Sequence, residues 1–169
     1  INVYISGIDS RGGINEVSRS DVNIIMSINK KTHNILMINT PRDYYVPLSI
    51  SNGVRDKLTH AGVYGIECSR NTLEMLYGIQ IDYYVKVNFS GFEKIIDSLG
   101  GVDVTLDYSA TLSQAGNLTV HNGVNHFNGE QALAFARERY AYSDGDRQRG
   151  RNQMRIMEAA IKKACSPAI

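Results

Sequence analysis

Runs of apolar residues predict a β-rich N-terminal third of the chain. Strands are predicted at 2–6, where Val3 and Ile5 share an apolar face, and at 22–28 and 35–38. The last two runs are nearly continuous and are joined by a short polar turn, which is typical of a hairpin buried on both faces. Pro41 ends this hairpin because proline has no N–H for the strand ladder.

Helical and extended patterns alternate over the rest of the chain. Helices are predicted within 59–77 and at 90–99, 129–136 and 146–164, and strands at 83–87 and 102–106. Gly78 is the expected C-cap of the first helix and Ser90 the N-cap of the second. The segment 107–128 is polar and turn-rich, with weak alternation near Leu118–Val120. This alternation predicts an α/β layered domain.

Composition indicates a single globular domain over residues 1–169. Hydrophobic residues make up 43% of the 169 and charged residues 21%, which suits one core and excludes a disordered chain. The net charge of +1 excludes a generally basic nucleic-acid coat. No apolar run reaches about 18 residues, so no membrane span is predicted. Because the chain opens at Ile1 inside a predicted strand, we expect an excised domain whose anchor lies upstream.

The two cysteines, Cys68 and Cys165, lack the spacing of a zinc site. Two buried thiols are favoured, and a single disulfide is the alternative if the domain is exported.

Arginines are concentrated near the C-terminus. Six of the 11 arginines fall within 137–155, and the planar guanidinium suits phosphate oxygens. Arg149 and Gln153, four residues apart, share a helix face. Arg137 and Arg139 can converge only if the preceding helix ends near Ala136. The alternative is a solvated basic helix surface.

Carboxylates adjoin the predicted N-terminal strands. Asp9 follows the first strand, Asp21 directly precedes the second, and Arg42-Asp43 follows the third. Acids that hold Mg²⁺ and arginines that neutralise phosphate oxygens together favour phosphoryl transfer. The alternatives are turn or cap residues and a surface ion pair. The chain has no GxxxxGK[ST], HExxH or GxSxG motif, and its histidines lack metal-ligand spacing; for His60 a structural role as a helix cap or core residue is expected.

Eight motifs follow one another in the order of a known family. They are Gly7-Ile8-Asp9-Ser10-Arg11, Arg19-Ser20-Asp21, Thr40-Pro41-Arg42-Asp43, Asp56-Lys57-Leu58-Thr59-His60-Ala61, Gly100-Gly101-Val102-Asp103-Val104, Asn128-Gly129-Glu130-Gln131-Ala132-Leu133-Ala134, Arg137-Glu138-Arg139-Tyr140 and the segment 146–153. In this arrangement the chain resembles the LytR-CpsA-Psr family, and its CpsA-like capsule branch in particular, over nearly its whole length.

The resemblance implies a mixed central β-sheet packed between α-helices, with an apolar tunnel for a prenyl tail. It implies a domain at the extracytoplasmic face of the membrane of a Gram-positive bacterium, held by an upstream transmembrane anchor. The implied activity moves a capsular or other cell-wall glycopolymer from a polyprenyl-pyrophosphate carrier onto peptidoglycan with the help of Mg²⁺. Nucleic acid is not an expected partner.

The resemblance also assigns roles to individual residues. Asp9 and Asp21 match the metal-associated acids. The positions that match pyrophosphate-binding residues are Arg19, Arg42, Lys57, Arg137, Arg139, Arg149 and Gln153, of which Lys57 is assigned less firmly. Arg151 falls in a motif without a firm role, and the role of Arg11 is open. Asp9, Arg42 and Arg139 are the expected catalytic residues.

Three other functions are consistent with the residues. A polyprenyl-pyrophosphate phosphatase would use water as the acceptor. A non-catalytic regulator would bind nucleic acid or a phosphorylated ligand, although the arginines are interleaved with acids and no helix-turn-helix pattern is present. A structural wall domain would not need acids and arginines at several strand ends.

Overall fold

The computed structural model describes residues 1–10, 12–113 and 117–166. By its internal contacts the chain divides into two compact units, Ile1–Phe89 and Ser90–Ile169. Each unit has its own apolar core, and the two are described separately.

The first unit contains six strands and two helices. They are β1 (Asn2–Ile8), β2 (Ser20–Ile28), β3 (Ile35–Asn39), β4 (Tyr45–Pro47), β5 (Arg55–Lys57), α1 (Leu58–Ala61), α2 (Ile66–Tyr77) and β6 (Tyr83–Val87). Four strands form one sheet in the order β3-β2-β1-β6. Strand β1 runs antiparallel to β2 and parallel to β6, so the sheet is mixed and the predicted α/β class is confirmed.

Burial along the strands differs from the prediction in two places. On β1 the buried residues are Tyr4, Ser6 and Ile8, whereas the expected apolar pair of Val3 and Ile5 is only half-buried. The β2–β3 hairpin forms as predicted, but burial on both faces is wrong for β3. This strand lies at the sheet edge, where Ile35 and Leu36 are exposed.

The predicted helix within 59–77 is interrupted. Between α1 and α2 lies a 3₁₀ turn, Gly62–Tyr64, followed by Gly65 at φ 103°. A Cβ on Gly62 would lie 2.5 Å from the backbone nitrogen of Ser20, so this glycine allows α1 to approach the start of β2. Gly78 ends α2 at φ 62° and donates its N–H to the carbonyl of Glu74, as expected for a left-handed C-cap.

The described part of the second unit contains three α-helices and four strands. They are α3 (Phe89–Ser98, beginning one residue before the unit), β7 (Val102–Leu106), β8 (Ala110–Leu112), β9 (Leu118–Val120), β10 (Gly123–Phe127), α4 (Gly129–Arg137) and α5 (Gly145–Cys165). Strands β7 and β10 pair antiparallel, as do β8 and β9. Ile96, Phe127, Phe135 and Ile156 lie in the core beneath them.

Three local expectations for this unit need correction. Ser90 lies inside α3 and is not its N-cap. Strands β8 and β10 lie within the segment expected to be turn-rich. Both cysteine thiols are free, but only Cys68 is buried; Cys165 is exposed near the end of α5. Within the described ranges, no helix combines the length and the apolar character needed to cross a bilayer.

Candidate functional site

Asp21 and Arg42 form the central ion pair of the first unit. Asp21 lies within β2 rather than before it, at the point where the register slips: Gly7 pairs with Val22 and Ile8 with Ser20. Asp21 is therefore the extra residue of a β-bulge, a device that redirects a side chain. Its Oδ1 accepts a hydrogen bond from Arg42 Nη1 at 2.9 Å.

Further polar groups extend this ion pair. Thr59 Oγ1 on α1 donates to the same Asp21 oxygen at 3.2 Å. Arg42 Nε lies 3.6 Å from Asp43 Oδ2, and Lys57 Nζ lies 2.9 Å from Asp43 Oδ1. Arg42 therefore does not form only a surface ion pair with Asp43. Its shorter contact is with Asp21, whose side chain is only 19% exposed. The structure brings together three of the predicted site residues here, namely Asp21, Arg42 and Lys57.

Asp9 and Arg19 lie at the same end of the β1–β2 ladder. Asp9 follows Ile8, Arg19 precedes Ser20, and Ile8 pairs with Ser20. Both are exposed. Among the residues that the structure describes, Asp9 makes no hydrogen bond or ion pair, so its carboxylate is available to a ligand. Arg11 lies outside the described residues.

A buried hydroxyl–amide cluster adjoins Asp21 through its chain neighbour Ser20. Its members are Tyr4, Ser6, Ser20 and Asn23. Tyr4 OH donates to Asn23 Oδ1 at 2.7 Å and lies 3.1 Å from Ser20 Oγ, which also donates to Asn23 at 2.7 Å and lies 2.9 Å from Ser6 Oγ. Burial raises the pKa of Tyr4, which therefore stays a neutral donor. The cluster fixes Ser20, the neighbour of Asp21. No sequence pattern indicates this cluster, because its hydroxyl and amide side chains form no recognisable spacing.

His60 is neither the helix cap nor the core residue expected from the sequence, because it is half-buried and pairs with an acid of β5. Its Nδ1 lies 2.8 Å from Asp56 Oδ1, four residues earlier. The backbone N–H of Lys57 and then the His60 ring lower the pKa of Asp56. This contact ties β5 to α1, which positions Lys57 and Thr59.

In the second unit, α4 ends before Arg139, as the convergence of Arg137 and Arg139 requires. Arg137 is its last residue, and Glu138 is extended at φ −61° and ψ 131°. Arg137 and Arg139 therefore do not lie in one continuous helix, in which their side chains would diverge. Asp146 Oδ1 lies 2.9 Å from Arg149 Nη2 and 4.0 Å from Arg139 Nη1, so one carboxylate connects α5 with the chain after α4.

Two amides of α5 bind the last carbonyls of α4. Asn152 Nδ2 donates to Phe135 O at 3.1 Å, and Gln153 Nε2 donates to Ala136 O at 3.5 Å. Gln153 thus lies beside the end of α4, as its shared face with Arg149 suggests. Arg151 instead contacts Asp144 and Gln148 at 3.4 and 3.2 Å. The four predicted residues that gather at the end of α4 are Arg137, Arg139, Arg149 and Gln153.

The carboxylate of Glu138, between the two arginines, is buried. Its Oε1 accepts hydrogen bonds from the N–H groups of Arg139, Tyr140 and Ala141 at 3.0, 2.8 and 3.2 Å. Ser113 Oγ lies 3.4 Å from both carboxylate oxygens. In the sequence, Glu138 is only one of the acids interleaved with the arginines. Its place immediately after a helix was the signal for a turn-forming role.

Asp9 and Asp21 are the residues that could hold a magnesium ion together with a phosphate ligand. Both lie at one end of the β1–β2 ladder, and carboxylate oxygens are the hard ligands that Mg²⁺ prefers. In the described ranges, no three His, Cys, Asp or Glu side chains gather as a metal site of protein ligands alone would need. Phosphate oxygens and water would supply the remaining ligands, as is usual for Mg²⁺.

The mixed α/β fold carries guanidinium and carboxylate clusters at strand and helix ends, which is the arrangement that the motifs suggest. The LytR_cpsA_psr family model matches residues 1–169. The chain belongs to the LytR-CpsA-Psr family.

Known relatives agree in sequence and in fold. The chain is 34% identical over 171 residues to the polyisoprenyl-teichoic acid–peptidoglycan teichoic acid transferase TagU of Bacillus cereus (strain ATCC 14579), covering 98% of this chain and 53% of TagU. The crystal structure of B. subtilis TagV matches at TM-score 0.87 and 30% identity, covering 99% of this chain and 66% of that chain.

A third relative was solved with a lipid. The LytR-CPS2A-psr family protein YwtF (TagT) with bound octaprenyl pyrophosphate matches at TM-score 0.81 and 33% identity, covering 99% of this chain and 66% of that one. The chain spans about half the length of the curated relatives that it matches.

Proposed function

We propose that this protein is a phosphotransferase that moves a cell-wall glycopolymer from a polyprenyl-pyrophosphate carrier to a hydroxyl of peptidoglycan. The observation that supports it most is the match of 99% of the chain to TagT with bound octaprenyl pyrophosphate. Two clusters of guanidinium groups, one around Arg42 and one at the end of α4, supply the positive charge that a pyrophosphate requires.

The arginines act on the pyrophosphate in this proposal. Arginines stabilise phosphate oxygens whose charge grows as the leaving group departs. Arg42 and Arg139 are proposed as catalytic because they stabilise this developing charge. The residues proposed to hold the pyrophosphate are Arg19, Arg42, Lys57, Arg137, Arg139, Arg149 and Gln153.

The bond changes follow from the substrate. The acceptor hydroxyl oxygen attacks the phosphorus next to the glycopolymer, and a new P–O bond forms. The bond from that phosphorus to the bridging oxygen breaks, and its electron pair leaves with polyprenyl monophosphate. Asp9, exposed and available among the described residues, takes the hydroxyl proton.

Asp9 and Asp21 are the residues proposed to hold Mg²⁺. The ion would supply Lewis-acid stabilisation of the phosphate oxygens. Asp21 also holds Arg42 at 2.9 Å, so the same carboxylate fixes the direction of the guanidinium.

The polymer and the cellular setting are part of the proposal. The capsular polymer suggested by the motifs stays a prediction, and the name of TagU makes teichoic acid a second candidate. Action at the outer face of a Gram-positive membrane, through an anchor beyond these residues, is consistent with a peptidoglycan acceptor.

Transfer by purified variants tests this function. Arg42→Ala and Arg139→Ala should each abolish transfer of labelled glycopolymer to peptidoglycan while the protein stays folded. Arg147→Ala is the matched control, because the Arg147 side chain on α5 is exposed and makes no hydrogen bond or ion pair within the described ranges. Unchanged transfer by both arginine variants would refute the site.

Omitting single components separates the rival activities. Release of polyprenyl phosphate that does not depend on peptidoglycan would indicate a phosphatase. Salt-sensitive binding of duplex DNA on filters would instead support a nucleic-acid regulator. Addition of EDTA should stop transfer, and restoration by Mg²⁺ is the expected result of the metal proposal.

A further inference from the structure

Glu138 is a buried acid whose carboxylate binds the backbone of the turn that follows it. It is 0% exposed, and burying a carboxylate is costly unless strong hydrogen bonds compensate. Its Oε1 accepts the three successive N–H groups of Arg139, Tyr140 and Ala141. One oxygen therefore shapes the whole turn after α4.

The turn that Glu138 shapes contains one proposed pyrophosphate-binding arginine and adjoins another. Arg137 lies on its helical side and Arg139 on its extended side. The backbone of Arg139 is also held from α5, because a Cβ on Gly145 would lie 2.4 Å from the Arg139 carbonyl oxygen. The direction of the Arg139 guanidinium thus depends on a backbone that the Glu138 carboxylate holds in place, and Arg137 lies directly before this turn.

We propose that Glu138 is a positioning residue for pyrophosphate binding, which it serves by accepting hydrogen bonds and not by its charge. The inference rests on the proposed function, since it needs Arg137 and Arg139 to bind the pyrophosphate. Glu138 itself does not contact the phosphates. It holds the turn in the binding conformation before the ligand arrives, which lowers the cost of ordering on binding.

Three variants of Glu138 separate the effect of side-chain length on binding from the effect of charge. Glu138→Gln keeps the length and the Oε1 acceptor but loses the charge, and its amide can donate to Ser113 Oγ. Glu138→Asp keeps the charge but is one methylene too short to meet all three N–H groups. Glu138→Ala removes both properties. Isothermal titration of the purified protein with octaprenyl pyrophosphate, with octaprenyl monophosphate as control, measures binding.

We expect Glu138→Gln to bind within about threefold of wild type. Glu138→Asp and Glu138→Ala should bind about ten- to a hundredfold more weakly, the loss expected when two or three hydrogen bonds that order the turn are missing. If Glu138→Ala fails to fold, the Gln and Asp variants decide alone. Wild-type affinity in Glu138→Asp, or an equal loss in Glu138→Gln and Glu138→Asp, would overturn the proposal.

A double-mutant cycle distinguishes positioning from general destabilisation. In an Arg137→Ala/Arg139→Ala background, Glu138→Asp should have no further effect on the remaining affinity, because the side chains that it positions are gone. A loss that persists undiminished there would contradict the inference. Failure of the wild type to bind octaprenyl pyrophosphate would refute the proposed function and the inference with it. Wild-type binding with an unaffected Glu138→Asp variant would refute the inference alone.

Discussion

The substitution Tyr4→Phe tests how strongly the buried hydroxyl–amide cluster supports the first unit. The variant removes one oxygen and leaves the ring in the core. Tyr4 is 0% exposed, and its hydroxyl contacts Asn23 Oδ1 at 2.7 Å and Ser20 Oγ at 3.1 Å.

The expected loss follows from what remains after the hydroxyl is removed. Asn23 Oδ1 keeps the donation from Ser20 Oγ at 2.7 Å, so no acceptor is left unsatisfied. The cost is then the net value of one hydrogen bond, about 1 kcal/mol of unfolding free energy. For a chain of this size, that lowers the melting temperature by about 2–4 °C.

The pH dependence gives an independent check. Because burial raises the pKa of Tyr4 above its usual 10.0, the native state keeps this proton at alkaline pH while the unfolded chain releases it. Stability from this group is complete below pH 10 and falls as pH rises from there towards the native pKa. The phenylalanine variant has no such group, so the difference in stability between the two proteins should shrink above pH 10.

Urea unfolding from pH 7 to 11 measures both effects. Tyr64→Phe is the matched control, because Tyr64 is 62% exposed and should change stability by less than about 0.5 kcal/mol. An equal stability of Tyr4→Phe and wild type at pH 7, or a gap that widens above pH 10, would refute the reasoning.

Two further substitutions test the second unit. Asn128→Ala removes the capping box of α4 and should lower the unfolding free energy by about 1 kcal/mol in urea titrations, whereas Asn122→Ala, in an exposed loop, should not. Gly145→Ala places a methyl group against the Arg139 carbonyl and should cost about 1–3 kcal/mol and weaken octaprenyl pyrophosphate binding. Gly13→Ala, with open space around its Cβ, is the control; equal binding by both glycine variants would contradict the packing argument.

Elements with a strong local pattern could be predicted from the sequence, and those that depend on partners could not. The strand at 83–87 and the long C-terminal helix were found within one residue at each end, because apolar period and capping residues are local signals. Strand β10 was missed because its pairing with β7 is a tertiary contact. The break at Gly62 likewise depends on the close approach of Ser20, which no local pattern shows.

The candidate site divides in the same way. Charged residues in ordered motifs could be found, and the structure pairs Asp21 with Arg42 and joins Arg139 to Arg149 through Asp146. Uncharged side chains and isolated acids that hold these residues in place could not be found. Glu138 is an example, because its burial is not visible in a sequence.

The amides of Asn152 and Gln153 on the carbonyls of Phe135 and Ala136 have a consequence for ligand affinity. A helix end with unsatisfied carbonyls frays, and an arginine on a frayed end samples many orientations. In this protein the main chain at the end of α4 is already ordered by folding. Its loss of conformational entropy is therefore not part of the cost of binding a ligand. An anion that meets Arg137 must then restrict only the side chain, for which the cost is at most about 2 kcal/mol.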